Sequence, residues 1–200
     1  MRFVFKGKLK SEDELDKGVL PLNAVPFREP KDMKTLNLAC SIFILPGLVL
    51  IAVAVILRTV LLGHNQFFFN LWGALLSLLT VFPHELLHGI AFPQNATVEV
   101  WYSLKSAMAL CFSTYPVSKV RFIFLSLLPN LVFGVLPLVL WVALPSIPRA
   151  VADILFTFGV LSLFMGCGDY LNVYNAALQM PKGTLTQLSG FHSYWYYPDK

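Results

Sequence analysis

The chain has 200 residues and a net charge of +4, and its composition is 56% hydrophobic but only 13% charged. Soluble domains carry about 25% charged residues, so these values exclude an ordinary soluble domain and favour one membrane domain of a few helices. The basic residues do not form a single stripe, which argues against a nucleic-acid-binding surface.

Residues 1–35 are the most polar part of the chain, with eight of its 15 Lys and Arg residues and six of its 11 Asp and Glu residues. Pro21, Pro26 and Pro30 predict an extended rather than a helical course for 20–29. We expect a cytosolic N-terminal arm here, either an ordered segment without a function of its own or a short docking segment.

Two apolar segments follow the arm. Leu38–Leu57 has 20 uncharged residues, enough for one membrane crossing at about 1.5 Å per residue, and Arg58 and His64 mark its far end. The second segment, Phe67–Phe92, is uncharged for only its first 16 residues. A helix that crosses the membrane here must therefore continue through the ionisable residues after Phe82.

Those ionisable residues form the sequence His84-Glu85-Leu86-Leu87-His88. Positions four apart lie on one face of a helix, so His84 and His88 can offer imidazole nitrogens to one metal ion. Glu85 is then placed to act as a general base on a metal-activated water rather than as a ligand. Ionisable side chains within a span are costly unless they bind something. The motif predicts a zinc site; the alternative is a coincidental pair of buried or interfacial histidines.

Residues 93–119 lose the helical pattern. Apolar and polar residues alternate over 97–104 and again over 108–112, which predicts a β-hairpin with its turn near Lys105. This hairpin is either purely structural or, beside a protease site, an exposed edge for an extended substrate.

Phe122–Leu144 supplies 23 uncharged residues for a third span, interrupted by Pro129-Asn130. The Asn130 side chain either makes a hydrogen bond between helices or acts as a substrate-binding or oxyanion-stabilising amide near the zinc.

The fourth span has only 15 uncharged residues, Ile154–Gly168, so it must continue through Asp169 to about Leu178. A lone carboxylate in such a position is by default a candidate functional group. The tail from Pro181 is polar and aromatic, which is typical of a membrane interface.

Four spans place both termini on one side of the membrane, and 13 of the 15 basic residues then lie on that side with the hairpin. The positive-inside rule makes this side the cytoplasm. The second and fourth spans run in the same direction, so the three groups fall at similar depth, with His84 about 12 Å and Asp169 about 14 Å from the inner end. We expect Asp169 to be the third zinc ligand; the alternative is a carboxylate that hydrogen-bonds another helix. Asn172, about one turn later, can hydrogen-bond that carboxylate.

The sequence from His84 to Gly89, the Pro-Asn pair of the third span and Gly168-Asp169-Tyr170-Leu171-Asn172 together resemble a bacterial family of uncharacterised four-span proteins, described as putative zincin peptidases. A wider resemblance is to site-2 proteases, which are intramembrane zinc enzymes. In those enzymes a His-Glu-x-x-His helix supplies two ligands and a later aspartate supplies the third. The resemblance thus implies His84, His88 and Asp169 as ligands and Glu85 as the catalytic residue.

The predicted fold is therefore an all-α integral membrane protein with four transmembrane helices and a small β-hairpin between the second and third. The predicted domains are a cytosolic arm (1–35), a four-span metalloprotease domain (36–178, with the hairpin at 93–119) and a cytosolic aromatic tail (179–200).

The predicted function is that of a zinc metallopeptidase in the bacterial cell membrane, with both termini cytoplasmic. Its expected partners are the lipid bilayer and a membrane or membrane-proximal polypeptide substrate, with no nucleic acid and with no signal for an oligomeric state. Asn130 and Asn172 are expected to contact a zinc ligand or the substrate. The alternative is a non-catalytic membrane protein with a structural zinc clamp, acting as a binding or regulatory module.

Overall fold

The structure is a computed structural model that describes residues 1–30, 33–63, 67–103 and 108–198. The chain divides into two compact units. The first comprises Met1–Pro30, Phe82–Ser126 and Asn172–Lys200, and the second comprises Lys31–Val81 and Leu127–Leu171. His64 and the predicted turn near Lys105 lie outside the described residues.

The prediction of an all-α protein is wrong, because the described residues form two β-sheets as well as helices. The hairpin predicted within 93–119 is present, but strands also form in the predicted arm and tail. The strands are β1 (Arg2–Lys8), β2 (Val25–Pro26), β3 (Thr97–Ser103), β4 (Met108–Phe112), β5 (Val117–Ser118), β6 (Leu185–Ser189) and β7 (His192–Tyr196).

The first sheet has the strand order β1-β3-β4. β1 pairs in parallel with β3, with Val4 opposite Glu99, and β3 pairs antiparallel with β4, with Val100 opposite Cys111. Trp101 and Phe112 pack with Leu15 into a small buried cluster. β3 is buried on both faces from Val98 to Trp101, and the carboxylate of Glu99 in this stretch pairs with Lys6 at 2.9 Å.

The second sheet has the order β2-β7-β6-β5, and all of its pairs are antiparallel. β6 and β7 form a hairpin in which Gly190 has a positive φ of 58°, a backbone conformation that glycine adopts without steric cost. The Glu29 carboxylate joins the arm to this hairpin by accepting a hydrogen bond of 3.0 Å from the Ser193 N–H. Both sheets belong to the first unit.

The helices account for most of the second unit and part of the first. They are α1 (Met33–Ile42), α2 (Leu45–Leu62), α3 (Leu71–Leu79), α4 (Val81–Ile90), α5 (Lys119–Pro129), α6 (Leu136–Ala143), α7 (Arg149–Met165) and α8 (Cys167–Gln179). A π-helical segment, Asn130–Val135, joins α5 to α6.

The second unit is built around an apolar core that includes Trp141, Phe156 and Leu163. The Arg58 guanidinium lies over the Trp141 ring, 4.5 Å from its centroid. A Cβ atom added to Gly134 would lie only 2.5 Å from Leu163 Cδ2. The absence of a side chain at Gly134 therefore lets the π-helical segment pack closely against α7.

Two helices, Leu38–Leu62 and Lys119–Ala143, are long and apolar enough to cross a membrane. They correspond to the predicted first and third spans. The predicted second and fourth spans are each broken into a bent pair, α3 with α4 and α7 with α8. By length and composition the described residues thus contain two possible spans, or up to four if each bent pair is one span. The division into arm, membrane domain and tail stays a prediction.

Candidate metal centre

The sequence around the motif folds as the short helix α4, which follows α3 after a break at Thr80. Pro83 lies in the first turn of α4, where a missing N–H costs no intrahelical hydrogen bond. His84 and His88 are one helical turn apart, with ring centroids separated by 5.0 Å. The predicted helical placement of the two histidines on one face is therefore confirmed.

The three polar side chains of the motif converge. One ligand atom from each of His84, Glu85 and His88 lies within 4.8 Å of the other two, and His84 is buried. Two imidazole nitrogens beside a carboxylate form the nitrogen and oxygen donor set that zinc accepts in proteins. The residues present thus fit a zinc ion, with His84 and His88 as the side chains that would hold it.

The orientation of His88 is set by the backbone of α5. Its Nδ1 atom lies 2.7 Å from the carbonyl oxygen of Leu125. A carbonyl oxygen only accepts hydrogen bonds, so Nδ1 must be the protonated ring nitrogen, and in the neutral ring Nε2 carries the lone pair. This partner of a metal-binding histidine is typical of zinc sites, because it fixes both the tautomer and the direction of the ligating nitrogen.

Glu85 is held by the edge of the first sheet. Its Oε2 atom accepts a hydrogen bond of 2.9 Å from the backbone N–H of Cys111 in β4. Burial, together with the nearby Glu85 carboxylate, raises the pKa of the Cys111 thiol to about 12.

The ring of Phe3, from β1, also packs closely against α4. A Cβ atom added to Gly89 would lie only 2.5 Å from this ring.

Asp169 lies in α8, within the second unit, and it is buried. Its Oδ2 atom accepts a hydrogen bond of 2.8 Å from Nδ2 of Asn130, and the Tyr170 hydroxyl donates to Oδ1 of the same amide at 3.1 Å. Because a carboxylate only accepts hydrogen bonds, this arrangement fixes which end of the amide faces Asp169. That Asp169 is the third zinc ligand stays a prediction.

Asn130 thus makes a hydrogen bond between the π-helical segment and α8, and any role in binding substrate stays a prediction. Asn172 lies three residues after Asp169 in α8 and is half-buried; its proposed contact with the carboxylate also stays a prediction.

Three groups at these residues were not anticipated from the sequence. They are the Leu125 carbonyl, the Cys111 N–H and the Tyr170 hydroxyl. Two of them are backbone groups, which every residue type except proline carries, so the residue types at these positions do not indicate the contacts. Tyr170 directly follows Asp169, and this adjacency of a phenol and a carboxylate is visible in the sequence.

Residues 76–185 match the family described as "Putative zincin peptidase". The matched region is more than half of the chain, and it includes the whole of α4 and the residues around Asn130 and Asp169. No curated protein and no solved structure matches the chain. The wider resemblance to site-2 proteases stays a prediction.

Proposed function

The chain belongs to the family described as "Putative zincin peptidase", and on that basis we propose that it is a zinc-dependent integral-membrane peptidase. The observation that carries the proposal is the convergence of His84, Glu85 and His88, whose ligand atoms lie within 4.8 Å of one another. A structural zinc site closes its coordination with four protein ligands, whereas a catalytic site keeps one position open. The sequence offers three good ligands, which favours catalysis.

In the proposed mechanism, His84 and His88 would hold the metal through one ring nitrogen each, and Asp169 would be the third ligand. A zinc ion held there would supply a Lewis acid that polarises the scissile carbonyl and activates water near neutral pH. Glu85 is the base that would take a proton from the attacking water and pass it to the leaving amine. The hydrogen bond from the Cys111 N–H to Oε2 holds the Glu85 carboxylate in one orientation for this task.

The proposed substrate is a membrane or membrane-proximal polypeptide in an extended conformation. Two observations support this substrate class. The apolar helices suit a bilayer, and β4, at one edge of the first sheet, reaches Glu85 with a backbone N–H. An extended segment that adds to a sheet edge gains main-chain hydrogen bonds with little dependence on its sequence.

The substitution Glu85→Gln tests the proposal, because it removes the base while keeping the size and shape of the side chain. We expect wild-type protein in detergent micelles or proteoliposomes to cleave unfolded casein or a library of quenched fluorescent peptides. Glu85→Gln should lower cleavage by at least about 100-fold, the contribution of a general base, and should keep the zinc content of the wild type.

The exposed residue Glu14 provides a matched control, since Glu14→Gln makes the same chemical change elsewhere in the first unit. This variant should cleave like the wild type. Cleavage by Glu85→Gln at the wild-type rate would contradict the enzymatic proposal and favour a structural zinc clamp. In cells that lack the chain, true substrates should accumulate equally with an empty vector and with Glu85→Gln.

A further inference from the structure

The Leu125 carbonyl that accepts the hydrogen bond from His88 lies inside helix α5. In an α-helix such a carbonyl is the acceptor for the N–H four residues later, which here is residue 129. Residue 129 is proline. Proline has no N–H, and its ring crowds the carbonyl four residues earlier, so this intrahelical hydrogen bond is absent.

We propose that Pro129 is a positioning residue for the zinc ligand His88, because it keeps the Leu125 carbonyl available for the histidine ring. The inference rests on the proposed function, since it treats His88 as a zinc ligand. It gives the proline in the third apolar segment a chemical purpose that differs from bending the helix.

The burial of Leu125 makes the hydrogen bond between its carbonyl and the His88 ring more important for stability. Leu125 is only 6% exposed, and a buried backbone carbonyl without a donor is costly. The ring N–H of His88, at 2.7 Å, supplies the donor that residue 129 lacks. The carbonyl in turn holds the proton on Nδ1 and directs Nε2 away from α5, so that the lone pair needed for the metal is oriented before zinc binds.

A residue with an N–H at position 129 would weaken the hydrogen bond between His88 and the Leu125 carbonyl. The new N–H would draw the Leu125 carbonyl towards the helix axis and compete with the His88 ring for it. The ring would then be held less firmly and would sample both tautomers, only one of which presents Nε2 to the metal. Loss of such a partner from a metal-binding histidine typically weakens metal affinity 10–100-fold.

The experiment compares two variants that share one side chain and differ in the backbone N–H. Pro129→Ala restores the N–H, whereas replacement of Pro129 by lactic acid gives the same methyl side chain with an ester oxygen in place of the N–H. Zinc affinity of the full chain in detergent is measured by competition with a chelating dye. We expect Pro129→Ala to bind zinc about tenfold more weakly and the lactic acid variant to bind within about twofold of the wild type.

Pro137, a buried proline in α6 of the same long helix, provides the control for general effects of removing a proline. Pro137→Ala should keep wild-type zinc affinity. Pro129 is fully buried, so Pro129→Ala and the lactic acid variant lose the same side-chain packing and their zinc-free forms should both melt below the wild type. A weaker zinc site in the alanine variant alone is an outcome that a purely structural proline would not give.

Wild-type affinity in Pro129→Ala, or equal losses in the alanine and lactic acid variants, would overturn the inference. If Pro129→Ala does not fold, Pro129→Gly restores the same N–H and takes its place. The proposed function fails separately: a wild-type chain that binds no zinc contradicts both proposals, whereas normal zinc binding by wild type and by Pro129→Ala contradicts only this one.

Discussion

The backbone N–H of Cys111 donates a hydrogen bond of 2.9 Å to Oε2 of Glu85, so one residue of the edge strand β4 contacts the proposed base through its backbone. The same residue carries a thiol whose pKa responds to that base. Cys111 is therefore a natural reporter on the charge of Glu85.

The reactivity of the Cys111 thiol should depend steeply on pH. Burial, and then the negative charge of Glu85, raise its pKa to about 12 from the ordinary value of 9.0. Only the thiolate reacts, so alkylation by iodoacetamide should be very slow at pH 8 and rise about tenfold per pH unit up to pH 10, without a plateau. Mass spectrometry of the labelled peptide measures the rate. Glu85→Gln should speed labelling and Glu14→Gln should not; a plateau near pH 9 would contradict the raised pKa.

The substitution Asp169→Asn distinguishes a zinc ligand from a structural carboxylate. The amide oxygen can still accept the hydrogen bond from Asn130, so a purely structural role should tolerate the change. A neutral amide is a poorer zinc ligand and leaves the ion under-neutralised, so we expect zinc content in the purified protein to fall substantially. As a control, Asp153→Asn changes another buried aspartate, in α7, and the protein with this change should retain the zinc content of the wild type. Full zinc stoichiometry in Asp169→Asn would show that Asp169 is not a ligand.

Two neighbouring glycines predict opposite effects on stability. A Cβ atom on Gly166 would overlap the Asn130 amide, whereas a Cβ atom on Gly168 meets no atom within 4 Å. Gly166→Ala should therefore lower the free energy of unfolding by about 1–3 kcal/mol, as overpacking does. Gly168→Ala should raise it by about 0.5–1 kcal/mol, because alanine is the better residue within a helix. Denaturant titration in detergent compares them, and equal effects would contradict the described packing around Asn130.

The membrane topology is open to a direct test. If each bent pair is one span, the chain crosses four times, and the loops after Gly63 and after Ser146 face away from the cytoplasm. At these two positions, a reporter that works only in the cytoplasm should be inactive. A reporter that works only outside the cytoplasm should be active. A cytoplasmic signal at either position would reduce the number of spans.

The sequence predicts the local arrangement of the motif residues better than it predicts the fold. His84, Glu85 and His88 are four residues apart or fewer, so a helix alone brings them together. The hairpin β3–β4 is likewise local, and its alternation is visible in the sequence. Local patterns of this kind are set by periodicity, which a single sequence displays.

One error concerns a contact between distant residues, and two others concern local features. β1 pairs with β3, for example Val4 with Glu99, and nothing in the pattern of residues 2–8 identifies a parallel partner about 95 residues away. Nothing in the sequence indicates the break at Gly166, because apolar composition continues up to and across it. Gly190, between residues 185–189 and 192–196, is a turn signal for the β6–β7 hairpin, but the aromatic composition of the tail favours a membrane interface.

The pairing of Val25 with Trp195 has a consequence for biosynthesis. Ribosomes add about 5–20 residues per second, so about 10–30 s separate the two strands that must meet. The intervening chain includes all of the apolar helices, which emerge before β7 exists. Long-range pairs of this kind close late, because the entropy of loop closure must be overcome first. The unit that carries the His-Glu-x-x-His helix is thus completed only when translation has reached the last strand.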